Sequence, residues 1–164
     1  IDDMYADLLN LGSIFNVEDR AKHLVNDYKA ELKSFKSNLE TGEPVRAFVY
    51  DSGEDTPFTA GLYAMPTALI EAAGGVNVMN GFEKSWGTVT WEEVVAQNPE
   101  VIIIVNYGSV TAEQKRAFMM SNPAFANIEA VKNDRFVTLE YVEATPGPRN
   151  IKAIKTLAKS FWGK

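Results

Sequence analysis

The chain has 164 residues, 46% of them apolar and 23% charged, which suits one compact domain and is short for two. A net charge of −6, with its positive residues scattered, argues against a nucleic-acid or anionic-membrane surface, since both need clustered Lys and Arg. No cysteine is present, which excludes a disulfide, a thiolate metal site and a cysteine nucleophile.

The chain opens at Ile1-Asp2-Asp3 with no initiator Met and is expected to be a processed or excised piece. No signal peptide or membrane segment is visible; the longest strongly apolar run, Val101–Val105, is far below the roughly 20 residues of a spanning helix. Met4, Leu8 and Leu11 predict a short helix broken near Gly12. From Ala21 the steps of three and four through Leu24, Val25, Tyr28, Leu32, Phe35 and Leu39 draw one stripe on a long helix. Asn16 is its expected cap, and Gly42 with Pro44 its end. His23, the single histidine, stands beside that stripe and is expected to be solvated.

After Pro44 the period changes. Val45–Tyr50 predicts a buried strand that Asp51-Ser52-Gly53 terminates. Pro66–Ala73 predicts a short helix with Gly74 as a left-handed stop, followed by a brief strand over Val76–Met79. Thr90 and Glu93 have capping-box spacing and open a helix over Trp91–Gln97. Glu93 is thereby occupied, and Glu92 is left free at the exposed helix start. Pro99 precedes an apolar strand at Val101–Asn106. A second capping box, Thr111 with Gln114, opens a helix to about Met120. Phe136–Leu139 is the last strand and Pro148–Phe161 the last helix, with Ile151, Ile154, Leu157, Ala158 and Phe161 facing inward and Lys152, Lys155 and Lys159 facing water.

Strands alternating with helices at this spacing predict an α/β three-layer sandwich with a mostly parallel, Rossmann-like sheet, preceded by the long helix. Right-handed crossovers place all strand-to-helix loops on one sheet edge, where open sheets of this kind bind ligands. The loops Asp51–Met65, Asn80–Thr90, Tyr107–Val110 and Glu140–Gly147 carry Phe58, Trp86, Tyr107 and Tyr141 to that edge. Other motifs lead nowhere. Asp51, Glu54 and Asp55 do not complete a calcium loop, Gly74-Gly75 lacks dinucleotide spacing, and Met119-Met120 reads as packing. There is no nucleophile elbow, zinc-ligand set or phosphate loop, so no catalytic or metal residue is assigned and an enzyme is not expected.

Several of these segments, in this order, resemble the C-terminal lobe of the binding proteins that deliver iron–siderophores, haem and cobalamin to ABC importers. The residues concerned are Pro57-Phe58-Thr59-Ala60-Gly61, Ala73-Gly74-Gly75-Val76-Asn77-Val78, the segment Trp86–Val105 and Gly147-Pro148-Arg149-Asn150. The resemblance implies that residues 1–41 are the end of a missing N-terminal lobe plus a rigid interlobe helix, and that residues 42–164 are the C-terminal lobe. It implies an extracytoplasmic protein, periplasmic or lipid-anchored, with no intrinsic cofactor and a metal chelate as cargo. Ferric siderophore is the first expectation, with haem or cobalamin behind it.

The same resemblance implies cargo contact by Trp86 and docking on the ABC permease dimer by Glu92, whose counterpart in the family meets a permease arginine. Phe58, Thr59 and Gly61 either form a turn or touch cargo. Tyr107 and Tyr141 are wall residues that can also donate to a siderophore carbonyl or ligate haem iron. Arg149 either holds an anionic ligand or pairs with Glu140 or Glu143. A competing reading is a receiver-like signalling domain with Asp51 as phospho-acceptor. It lacks an acidic pair after the first strand and a Lys after the last.

Overall fold

The computed structural model describes residues 1–39 and 42–163, so the end of the expected interlobe helix at residues 40–41, the domain boundary set there, and residue 164 lie outside the described residues. Strands form at β1 (Val45–Tyr50), β2 (Phe58–Ala60), β3 (Gly75–Asn77), β4 (Trp86–Thr88), β5 (Val101–Asn106) and β6 (Phe136–Glu140). The four apolar segments read from the sequence pair in the order β3-β1-β5-β6, all parallel, as the alternating pattern requires. Central β5 is buried at Val101–Val105, which explains its uninterrupted apolar run.

The helices are α1 (Asp2–Ile14), α2 (Glu18–Ser37), α3 (Met65–Ala72), α4 (Trp91–Gln97), α5 (Ala112–Ser121), α6 (Glu129–Lys132), α7 (Tyr141–Ala144) and α8 (Asn150–Trp162), with a 3₁₀ turn at Pro123–Phe125. On one sheet face Val49, Ile103, Val105 and Leu139 pack against Leu69 and Ile70 of α3 and Ile154 and Leu157 of α8. On the other, Phe48, Tyr50, Ile102 and Ile104 pack against Val94, Met119 and Val131. Three layers result, because the central strands carry apolar side chains on both faces and each face has its own helices to pack on.

Both capping boxes form: Thr90 with Glu93 and Thr111 with Gln114 exchange side-chain and backbone hydrogen bonds. Asn98 then leaves α4 in the left-handed region, at φ 44°. Elsewhere the boundaries differ from expectation. The helix does not break at Gly12; α1 runs through it to Ile14. Gly12 is buried because a Cβ there would strike the Ala21 Cβ of α2, so the glycine permits close helix crossing instead of ending a helix. Asn16 does not cap α2: it is the left-handed residue of the α1–α2 turn (φ 53°), and the helix starts at Glu18 behind Val17. The α2 stripe docks through Tyr28, Leu32 and Phe35 on the main core, helped by Lys155 and Glu31 at 2.6 Å. Leu24 stays exposed, and the helix ends at Ser37 rather than near Gly42, so Leu39 packs on the core from beyond its end. Strand β3 ends at Asn77, not Met79, because the buried Asn77 amide bonds Ala60 O and Thr67 Oγ1 and accepts from the Met79 amide. The last helix starts at Asn150, two residues after Pro148.

Candidate functional site

The site is built where strands β1, β5 and β6 end. Between Asp51 and Met65 the chain forms β2, which pairs antiparallel with β4 in a two-stranded ribbon that the sequence patterning did not predict. The ribbon puts Phe58 and Trp86 diagonally opposite, and their rings stack at 5.9 Å with planes 10° apart. Trp86 is half-buried, with one edge left to the hollow. Opposite, Tyr107 leaves β5 and Tyr141 opens α7; both are about half exposed, and their rings stack at 4.7 Å. These two aromatic pairs, with Asp51, Val105, Ala144 and Thr145, line an open hollow of about 270 Å³.

Each wall is fixed by polar groups behind it. Lys115 is 2% exposed, and its Nζ donates to the carbonyls of Val105 (2.7 Å) and Tyr107 (3.2 Å), tying down the end of β5. Burial pushes the Lys115 ammonium below its usual range, against the pull of Asp51. Glu143 holds the turn that presents Tyr141: its carboxylate accepts from the Glu140 amide (3.0 Å) and from Lys152 (2.6 Å). Burial pushes the Glu143 carboxyl up, but the Lys152 and Glu140 hydrogen bonds and the charges of Lys152 and Arg149 outweigh it and hold it below the usual range. Behind the other wall, burial with Glu54 nearby pushes the Tyr50 phenol up to about 12, so it stays a neutral donor to Gly53 O.

The residues expected at the site divide into those that meet and those that do not. Phe58, Trp86, Tyr107 and Tyr141 converge. Thr59 does not reach the hollow: it is fully buried, and its hydroxyl donates to Val49 O at 2.6 Å. Gly61 is buried too, its missing side chain giving room to the Phe82 ring and the carbonyls of Phe82 and Lys84. Both shape the ribbon rather than face a ligand. Arg149 is exposed at the start of α8, outside the hollow's lining, and among the described residues it forms no ion pair with Glu140 or Glu143. His23 is exposed, as expected. Asp51 is nearly buried, taking a hydrogen bond from Ser52 Oγ at 2.9 Å, and belongs to the wall.

Glu92 stands at the first turn of α4 with its side chain exposed and, among the described residues, without a hydrogen-bond or ion-pair partner. Its neighbour Glu93 is spent on the cap, and the Thr90 amide and hydroxyl hold that carboxyl below its usual range. Trp91 fixes the helix start to the ligand edge: its Nε1 donates to Glu54 O at 2.6 Å, and its ring packs among Phe48, Tyr50, Phe118 and Phe125. Sequence reasoning missed Asp51 as a lining residue and Lys115 as the support behind the wall. For Lys115 a signal existed, since it shares one helix face with Ala112 and Met119, and all three are buried.

Comparison with known proteins follows this geometry. Residues 1–142 match the family described as periplasmic binding protein. A vitamin B12-binding protein of Vibrio cholerae is 25% identical over 141 residues, covering 85% of this chain and 47% of the relative. The uncharacterized ABC transporter substrate-binding lipoprotein YvrC of Bacillus subtilis is 24% identical over 164 residues, covering 98% and 50%. The chain thus spans about half the length of the curated relatives it matches. Among solved structures, a periplasmic binding protein from Veillonella parvula superposes with a TM-score of 0.90 at 35% identity, over 99% of this chain and 57% of that one. An ABC-type Fe3+-hydroxamate transport protein from Saccharomonospora viridis does so at 0.86 and 22% identity, over 98% and 56%.

Proposed function

The chain belongs to the periplasmic binding protein family, and from that premise we propose that it is the C-terminal lobe of the substrate-binding component of an ABC importer. The observation that carries the reading is the convergence of Phe58, Trp86, Tyr107 and Tyr141 on one open hollow at the carboxyl edge of the sheet. An open, aromatic half-site suits one wall of a clamp whose other wall comes from a second lobe. The cargo is a metal chelate, ferric siderophore before haem or cobalamin. Phenols can donate to a chelate's carbonyls while the stacked rings cover its apolar surface. The vitamin B12-binding and Fe3+-hydroxamate relatives support that class of cargo.

Residues 1–41 then represent the end of the first lobe and the rigid interlobe helix, and residues 42–164 the second lobe. The exposed apolar residues Leu11, Ile14 and Phe15 at the end of α1 support this division, because apolar surface of this kind commonly marks a contact with further protein. Met4 and Leu8 of the same helix pack with Tyr5 and Val25 of their own chain. Glu92 is the docking carboxylate: it is exposed, unpartnered and held on the ligand edge, where it can meet a permease arginine. The protein works outside the cytoplasm, soluble in the periplasm or held by a lipid anchor, in keeping with the lipoprotein relative. Among the described residues no helix is long and apolar enough to cross a membrane. Family membership favours this reading over a receiver-like one and leaves Asp51 a wall residue.

The test is a panel of ferric siderophores, haem and cobalamin offered to the two-lobed protein and read by native mass spectrometry. A single stoichiometric complex with one of these chelates supports the reading. Failure to retain any of them contradicts it.

A further inference from the structure

The charges around the hollow bear on which chelates it accepts. Its polar lining consists of the Asp51 carboxylate, the Tyr107 and Tyr141 phenols and Thr145, with no Lys, Arg or His among the described residues that line it. The cations nearby lie outside the lining, and two of the three are engaged by their own chain. Lys115 reaches this edge from beneath, but its Nζ is spent on the Val105 and Tyr107 carbonyls and is closed to solvent. Lys84, two residues before Trp86, has its ammonium over the Phe82 ring at 5.6 Å. Arg149 stands outside the lining, and its charge acts on Glu143.

We propose that this wall selects a chelate without net negative charge, neutral or cationic, that lays an apolar face on Trp86 and Phe58. The proposal rests on the reading of the hollow as the cargo site. An anionic chelate seated here would lose its hydration against aromatic rings and a carboxylate, with no cation among the described residues of the lining to contact it. A neutral chelate loses little, and a cationic one gains from Asp51. The penalty is specific to charge and not to size, so it discriminates between chelates that the aromatic surfaces alone would hold equally well.

The experiment is calorimetric titration of the two-lobed protein with a cationic ferric trihydroxamate bearing a free ammonium, a neutral ferric trihydroxamate and cyanocobalamin. Against these stand two anionic probes, a ferric tris-catecholate and haem. The tightest neutral or cationic probe should bind at least about thirtyfold more tightly than either anionic one, the scale of one uncompensated like-charge contact at a partly desolvated site. Asp51→Asn should raise affinity for the better-bound anionic probe by about fivefold or more and so narrow the gap between the anionic and neutral probes. An anionic probe that binds tightest, or as tightly as the neutral ones, overturns the proposal while leaving the cargo site intact. Should Asp51→Asn lower the thermal midpoint sharply, the wild-type ranking alone decides. If none of the five binds, the cargo-site reading fails and the charge preference with it.

Discussion

At the scale of single residues, the ligand edge separates two tasks that adjacent glutamates would otherwise confuse. Glu93 is consumed by the Thr90 cap, whereas Glu92 has no partner among the described residues. In the two-lobed protein Glu92→Arg should therefore leave chelate affinity nearly unchanged while uptake, or permease-stimulated ATP hydrolysis, falls well below that of Glu92→Ala. The reason is that the arginine would face like charge on the permease. Normal transport by Glu92→Arg would remove the docking role. Glu143 makes a second residue-level case. Its pKa is held below the ordinary 4.5, so it contributes stability that is present above that pH and is lost as pH falls through the folded-state value. Glu143→Gln should flatten the acid limb of a stability–pH curve measured by thermal unfolding. A curve parallel to wild type below about pH 4.5 would show that the Lys152 pair does not carry it.

The capping boxes were legible residue by residue because a cap is a local device, closed within four positions. The same locality explains the failures. Asn16 has the chemistry of a cap, but Asn also tolerates the left-handed region, and the tight α1–α2 turn needed that property more. Gly61 and Thr59 sit in a family-like segment, yet what they serve is the packing of Phe82 and the Val49 carbonyl, partners that no spacing in the sequence reveals.

Among elements, the strands of the main sheet were readable because burial on both faces leaves an unbroken apolar run, as in β5. The β2–β4 ribbon was not. Each of its strands has three residues, too few for a period, and their pairing joins segments far apart in the chain. The site inherits this split: its aromatic residues could be placed on one edge by topology, but the Phe58–Trp86 stack depends on the ribbon register. The α1–α2 crossing offers a direct test at this scale. Gly12→Val forces a side chain into Ala21 and should cost about 1–3 kcal/mol, or roughly 3–10 °C in thermal midpoint. Gly81→Ala, where a Cβ meets nothing within 4 Å, is the control and should be nearly neutral. Equal midpoints for the two variants would mean that the helices can part without cost.

On the proposed function the whole molecule is a clamp, and this chain supplies one side of it. Apolar side chains that a free-standing domain would bury remain exposed at the end of α1, with Ile14 at 69% and Phe15 at 68%. Phe15→Asp should destabilise the two-lobed protein by about 1–3 kcal/mol, the transfer cost of an aromatic face, and leave this lobe alone nearly unaffected. The cargo wall likewise works only when a second wall closes on it. The most direct test is therefore chelate affinity for Trp86→Ala beside wild type, measured by calorimetry on the two-lobed protein with its tightest-binding chelate. A wall role predicts a loss of about 1–3 kcal/mol, roughly five- to a hundred-and-fiftyfold in Kd. Unaltered affinity in a folded Trp86→Ala protein would contradict the assignment of this edge as the cargo site.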